Sequence, residues 1–213
     1  QVVKFSEREN LKEYSVDEHG TKFLINAKTY KFSSMLPKIT FFSIASVEKL
    51  VSYLGFDFNP EFADFKIPPG RGTIFRGIKD TIIIDSSYNA SREPVLSFLE
   101  LAYELKKSTG RKLVFLFGDM RELGEGARDE HMEVARKADR VTDLIYGVGP
   151  LTKRFVIPNV SNAQTKWFSN SRLAGAFLKN NLHPNSIVLV KGSQNQIFLE
   201  EAIILILAEP EDV

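Results

Sequence analysis

From about residue 80 to residue 208, apolar strand-type runs alternate with helix-period segments, and each run ends in glycine or polar residues. The clearest case is Thr81–Ala90, reading Thr-Ile-Ile-Ile-Asp-Ser-Ser-Tyr-Asn-Ala. Ile82 to Ile84 run without polar alternation, the pattern of a parallel strand buried on both faces. The run stops at Asp85, and a helical pattern follows from Ser91. Strands are predicted at Thr81–Asp85, Lys112–Phe117, Asp143–Tyr146 and Ser186–Val190. Helices are predicted at Ser91–Lys107, Ala127–Ala138, Ser171–Asn181 and Gln196–Leu207. Alternation with short connections predicts an α/β fold with a mostly parallel sheet.

The first 70 residues have a different period. Val2–Phe5, Glu13–Val16, Lys22–Ile25 and Tyr30–Phe32 read as short strands of a meander, with a turn at Glu18–Thr21. Phe42, Ala45, Leu50 and Leu54 recur at helical spacing and Gly55 stops the pattern, so Phe41–Leu54 is a predicted helix. A second helix is predicted at Pro60–Phe65. Ile67-Pro68-Pro69-Gly70-Arg71-Gly72 is a stiff loop rather than an element interior. The domain boundary is placed here, giving domains 1–70 and 71–213.

Composition excludes several classes. A net charge of +1 over 213 residues gives no general attraction to nucleic acid or membrane. The absence of cysteine excludes disulfides and thiolate metal sites. His19, His131 and His183 lie too far apart in sequence for a metal-ligand pattern, so no metal site is expected. The apolar stretch Ala202–Ala208 is too short to span a bilayer. The chain starts at Gln1, without initiator Met or signal peptide, and reads as a fragment of a longer protein.

In open α/β sheets, ligands sit where strand carboxyl ends meet helix amino ends. Asp85 and Ser86 therefore face a site or cap the following helix. Gly118-Asp119-Met120-Arg121, Gly147-Val148-Gly149-Pro150 and Lys191-Gly192-Ser193 each follow a predicted strand. Several such loops on one edge predict a shared polar crevice carrying Asp119, Arg121, Lys191 and Ser193. No Gly-x-Gly-x-x-Gly follows the first strand, which argues against NAD.

Four motifs in order resemble the Mur ligases, the ATP-dependent amide ligases of peptidoglycan precursor synthesis, and most nearly their D-alanyl-D-alanine-adding branch. They are Pro68-Pro69-Gly70-Arg71, Asp85-Ser86-Ser87-Tyr88-Asn89-Ala90, Gly118-Asp119-Met120-Arg121-Glu122-Leu123-Gly124-Glu125 with His131, and Val188-Leu189-Val190-Lys191-Gly192-Ser193. The resemblance implies a Rossmann-like C-terminal domain over 71–213, preceded by the end of a central ATPase domain. The remainder of the ligase would lie upstream of Gln1. It implies a cytoplasmic enzyme using ATP and Mg²⁺ to activate a carboxylate for attack by an amino acid or dipeptide.

On this reading Arg71, Asp85, Tyr88 and Asn89 form the nucleotide side, with Arg71 reaching phosphates. Asp119, Arg121, Lys191, Gly192 and Ser193 form the acceptor side, with Lys191 meeting the acceptor carboxylate. Without the resemblance, Arg71 reads as a solvated loop residue and Lys191 as a strand-end lysine in water. His131 reads equally as helix packing.

The chain also departs from the family. It has no Gly-x-x-Gly-Lys-[Ser/Thr] phosphate loop. The lysine that the family carbamylates to hold Mg²⁺ belongs to the upstream region. Lys38-Ile39-Thr40-Phe41-Phe42 stands where the family has His-Asn-x-x-Asn, and Ser86 replaces a second acid. Ser91-Arg92 replaces Asn-Pro. The chain alone is expected to hydrolyse no ATP and to form no amide bond. The alternative is a Mur-ligase-like paralogue that has lost ATP chemistry and acts as a binding protein.

Overall fold

The computed structural model describes residues 4–58, 60–62 and 65–209. The chain divides into two compact units, Gln1–Lys66 and Ile67–Val213.

In the first unit a turn of helix, α1 (Glu7–Asn10), leads into strands β1 (Leu11–Asp17), β2 (Gly20–Ile25) and β3 (Lys28–Phe32). These pair antiparallel in sequence order, as the meander reading expects. Helix α2 (Phe41–Tyr53) follows, and Phe41, Ile44 and Ala45 on it are buried. The strand predicted at Val2–Phe5 lies partly outside the described residues, and Lys4 and Phe5 belong to no strand. The helix predicted at Pro60–Phe65 is not formed: Glu61–Phe62 is a short strand, β4, parallel to β3. The Phe62 ring stacks on Phe32 with centroids 4.5 Å apart, so aromatic contact across the ladder outweighs helical spacing here.

The second unit carries a six-stranded sheet in the order β5-β6-β10-β7-β8-β9. Its strands are β5 (Thr73–Gly77), β6 (Thr81–Ser86), β7 (Lys112–Gly118), β8 (Leu144–Val148), β9 (Gln164–Phe168) and β10 (Ser186–Lys191). All neighbours pair parallel except β5 with β6. Helices α3 (Arg92–Thr109) and α4 (Ala127–Val141) follow β6 and β7. After β9 come α5 (Ser171–Asn181), β10, then α6 (Gln194–Ile197) and α7 (Glu200–Ile204).

The core has two layers because successive strand residues point to opposite faces. Ile83, Val188, Val114 and Leu144 lie in register across the sheet and pack in one cluster with Ala174, Leu178, Ala202 and Ile203 of α5 and α7. On the other face Phe117 meets His131 of α4, with ring centroids 6.0 Å apart.

Three features of this unit were not predicted. Strands β5 and β9 are edge strands with partly exposed faces, which blurs their apolar pattern. The single helix predicted over Gln196–Leu207 is broken: Phe198 is left-handed at φ 49°, between α6 and α7. Ile197 and Leu199 are both buried in the same cluster. Residues two apart point to different sides of a continuous helix, so burying both requires the break.

Helix α5 approaches α7 closely at Gly175. A Cβ there would sit 2.8 Å from Ala202 Cα and 3.1 Å from its carbonyl oxygen, a clash with backbone that no side-chain rotation relieves. Gly175→Ala is therefore expected to lower stability by roughly 1–2 kcal/mol despite alanine's better helix propensity. Urea unfolding checks this, and a stabilised variant would contradict the close packing.

Candidate functional site

Helices following β6 and β10 leave to opposite faces of the sheet, so a crevice opens between the carboxyl ends of these neighbouring strands. Four loops reach this edge: Ser87–Ser91 after β6, Asp119–Leu123 after β7, Gly149–Leu151 after β8, and Gly192–Ser193 after β10. The Pro68–Gly72 loop joins them because β5 runs antiparallel to β6, pairing Thr73 with Asp85. Gly72 N–H donates to the Asp85 carbonyl at 2.7 Å, and Tyr88 N–H to the Gly70 carbonyl at 3.1 Å. These bonds set the Arg71 guanidinium 4.4 Å from the Tyr88 ring centroid, a cation–π contact.

Arg71, Ser86, Tyr88, Asn89 and Lys191 line a first cleft, floored by Pro94 and Phe98 of α3. Sequence reasoning missed both floor residues; they sit on a helix whose pattern signals only packing. Tyr88 and Asn89 also border a second cleft, with Arg121, Glu122, Ser193 and Gln194. The Tyr88–Asn89 turn thus forms a wall between the two. Gln194 N–H donates to the Tyr88 carbonyl at 3.3 Å and holds the wall to the β10 loop.

Lys191 stands apart from its expected grouping. It is 2% exposed and lines the first cleft, not the second. Its ammonium donates to the Ser86 carbonyl at 2.9 Å and to the Asn89 carbonyl. Burial pushes its pKa down to about 8, Asp85 opposes that shift, and Arg71 reinforces it. The solvated-lysine reading is excluded by this burial. Asp85 is also buried, and that burial raises its pKa against the hydrogen bonds from Ser87 and the nearby Lys191 charge. Its Oδ1 accepts from Ser87 N–H at 3.0 Å. Neither Asp85 nor Ser86 caps α3; Ser91 occupies that place, without a side-chain bond.

The remaining acceptor-side residues are largely engaged with one another. Asp119 is fully buried, and its two carboxylate oxygens accept from Leu151 N–H at 3.0 Å and Thr152 N–H at 2.7 Å. It thereby anchors the start of a π-helical turn, Thr152–Val156. Gly149 makes this possible: its φ is +104°, and a Cβ would lie 2.7 Å from the Asp119 carboxylate. Ser193 Oγ accepts from Arg121 N–H at 3.1 Å, and Ser193 N–H donates to the Asp119 carbonyl at 3.2 Å. The Arg121 guanidinium donates to Gln196. Gly192 faces protein rather than a cleft, since a Cβ there would be 2.7 Å from Leu199 and 3.0 Å from Gly118 Cα. Among these, Arg121 and Ser193 border the second cleft.

His131 is fully buried and holds the β7 loop to α4. Its Nε2 accepts from Met120 N–H at 3.1 Å, which leaves Nδ1 to donate to the Ala127 carbonyl at 2.6 Å. Burial lowers its pKa, while the Ala127 bond and the Asp119 and Glu130 charges act in the opposite sense. The neutral ring is the one that fits, because a protonated Nε2 cannot accept. The unfolded chain binds a proton near pH 6.5 and the folded chain only at lower pH. The His131 contribution is therefore complete above that pH and lost as pH falls through the window below it. Chemical denaturation from pH 7.5 to 5 should show stability falling, with a shallower slope in His131→Gln; equal slopes would contradict a buried neutral ring.

Among the described residues, no group of three or more His, Cys, Asp or Glu side chains is placed to hold a metal ion. No helix among them is long and apolar enough to cross a membrane.

Residues 70–194 match the family description Mur ligase, glutamate ligase domain. The chain is 26% identical over 146 residues to the UDP-N-acetylmuramoyl-tripeptide–D-alanyl-D-alanine ligase of Synechocystis sp., covering 68% of this chain and 31% of that protein. MurF ligase from Thermotoga maritima, solved in complex with ADP, superposes with a TM-score of 0.73 at 22% identity, covering 91% of this chain and 46% of that one. A MurF structure from Acinetobacter baumannii gives 0.72 at 16%, covering 91% and 44%. The chain thus spans less than a third of this curated relative and less than half of either solved structure. With the match covering more than half its length and both clefts built from those residues, the chain belongs to the Mur ligase family.

Proposed function

We propose that the chain is the C-terminal portion of an ATP-dependent amide ligase that adds D-alanyl-D-alanine, or a similar amino acid or dipeptide, to a UDP-muramoyl peptide in the cytoplasm. Residues 1–70 then belong to the end of the central domain and 71–213 to the C-terminal domain. The observation that carries this reading is the pair of clefts sharing the Tyr88–Asn89 wall at one sheet edge. Arg71 on one side and Arg121 with Ser193 on the other fit two substrates held next to each other.

The fit to the ligands is uneven. Arg71, stacked on Tyr88, suits a phosphate oxygen. Lys191 is already bonded to two carbonyls, so it holds the β6 loop in shape beside Arg71. The described residues offer Mg²⁺ no ligand cluster, and the sequence has no phosphate loop. ATP, when bound, supplies the phosphoryl group; what these residues contribute is orientation and charge at the rim of the cleft.

The binding-protein reading is favoured by one set of observations. Ile39 and Phe42 stand where the family has asparagines, and Ser86 where it has an acid. These side chains supply fewer hydrogen bonds to a nucleotide.

Calorimetric titration of the intact protein with ATP–Mg²⁺ and, separately, D-alanyl-D-alanine tests both readings. A ligase binds both, and Arg71→Ala weakens ATP by at least about ten-fold, the loss expected of one charged hydrogen bond. Dipeptide binding without ATP would favour the binding protein, and unchanged ATP affinity in Arg71→Ala would remove Arg71 from the site. The 213-residue chain by itself is expected to hydrolyse no ATP; turnover by the pure chain would refute that.

A further inference from the structure

Lys191 is engaged with the Ser86 and Asn89 carbonyls, so Arg121 is the one cation lining the second cleft among the described residues. Arg121 is held at two points. Its backbone N–H donates to Ser193 Oγ at 3.1 Å, which fixes the β7 loop. Its guanidinium donates through one terminal nitrogen to Gln196 Oε1. Gln196 itself is not among the residues lining the cleft; it meets Arg121 from α6, outside it. A guanidinium has five N–H donors, so donors remain for a ligand after this bond.

The backbone around this contact is unusual. Ile197 of α6 is buried, and Ser171 Oγ donates to its carbonyl. Gln196 and Phe198, on either side of it, are both left-handed, at φ 69° and 49°. Glu122, next to Arg121, is a third, at 62°. Seven non-glycine residues among those described have positive φ, and these three stand in the two loops beside one cleft. A Cβ disfavours that region, and such residues persist where their surroundings over-determine them, commonly at ligand clamps. Burial of Ile197 and Leu199 accounts for Phe198; the contact that accompanies the Gln196 conformation is the bond to Arg121.

We infer that Gln196 is a positioning residue, which orients the Arg121 guanidinium as the anchor for the carboxylate of a small zwitterionic acceptor. An amide oxygen suits this role because it holds the guanidinium without cancelling its charge, as a carboxylate in that place would. The cleft fits such a ligand. Its volume of about 180 Å³ is below the roughly 300–1,000 Å³ of sites for drug-sized molecules. It is lined by one cation, Arg121, and one anion, Glu122, so a ligand with one charge of each sign meets both. The inference rests on the ligase reading, and it moves the carboxylate contact expected of Lys191 to Arg121.

Calorimetric titration of the intact protein with D-alanyl-D-alanine and with its C-terminal amide tests this. The unsubstituted protein should prefer the acid by at least about ten-fold, the worth of one charge-assisted bond. Gln196→Ala should weaken the acid about three- to ten-fold, because Arg121 must then be ordered on binding. Gln196→Glu is isosteric at an exposed position. It should weaken the acid further and bring the preference for acid over amide to within about two-fold, because Arg121 is then paired with a carboxylate. Arg121→Ala should erase the preference in every background. A Gln196 that only supports the fold would change both probes alike, so a preference kept in Gln196→Glu would overturn the inference. Unchanged affinity in Gln196→Ala, or an unsubstituted protein that does not bind the acid, would overturn it as well. ATP–Mg²⁺ titration of the same samples separates the two readings. The expected preferences without ATP binding remove the active ligase and keep the role of Gln196, while ATP binding with the preference kept in Gln196→Glu does the reverse.

Discussion

Strand β10 enters the second unit's sheet last and takes its centre, pairing in parallel with β6 on one side and β7 on the other. The site depends on this insertion. Without it the loops after β6 and β7 would be neighbours, and the crevice would have no third wall. The ladder also carries Lys191 to the level of Ser86 and Phe117, where the sheet ends. All six β10 residues are buried, so its register is held by packing on both faces as well as by backbone bonds.

At that edge the polar groups bind one another before they bind anything else. Lys191 bonds the β6 loop, Asp119 anchors the π-helical turn, Ser193 joins the β7 and β10 loops, and His131 ties the β7 loop to α4. Burying such groups unpaired would cost about 1–3 kcal/mol each, so their mutual satisfaction lets a polar crevice persist at the end of an apolar sheet. Arg71 and Tyr88, stacked on each other, line one cleft with Asn89, and Arg121, bonded to Gln196, borders the other. This division of labour separates scaffold from candidate ligand contacts more sharply than residue type does.

The first unit shows the same logic in reverse. Its strands and the buried side of α2 form a small core, while the far side of α2 keeps an apolar surface that water does not favour.

Much of this was legible in the chain itself. The alternation of apolar runs and helical periods marks β6, β7, β8 and β10 with their helices, because buried parallel strands need continuous apolar residues. The polar loops at strand ends mark the edge where ligands meet such sheets. Edge strands β5 and β9 were not legible, because half-exposed strands carry weak patterns, nor was the break at Phe198, which answers to packing of Ile197 and Leu199. Local sequence thus determined the buried strands, most of their helices and where the strands' polar ends lie. Only the tertiary structure decided that Lys191 turns toward the Ser86 and Asn89 carbonyls rather than toward Arg121, because that depends on β10 lying against β6, a pairing between residues about a hundred positions apart that no local pattern encodes.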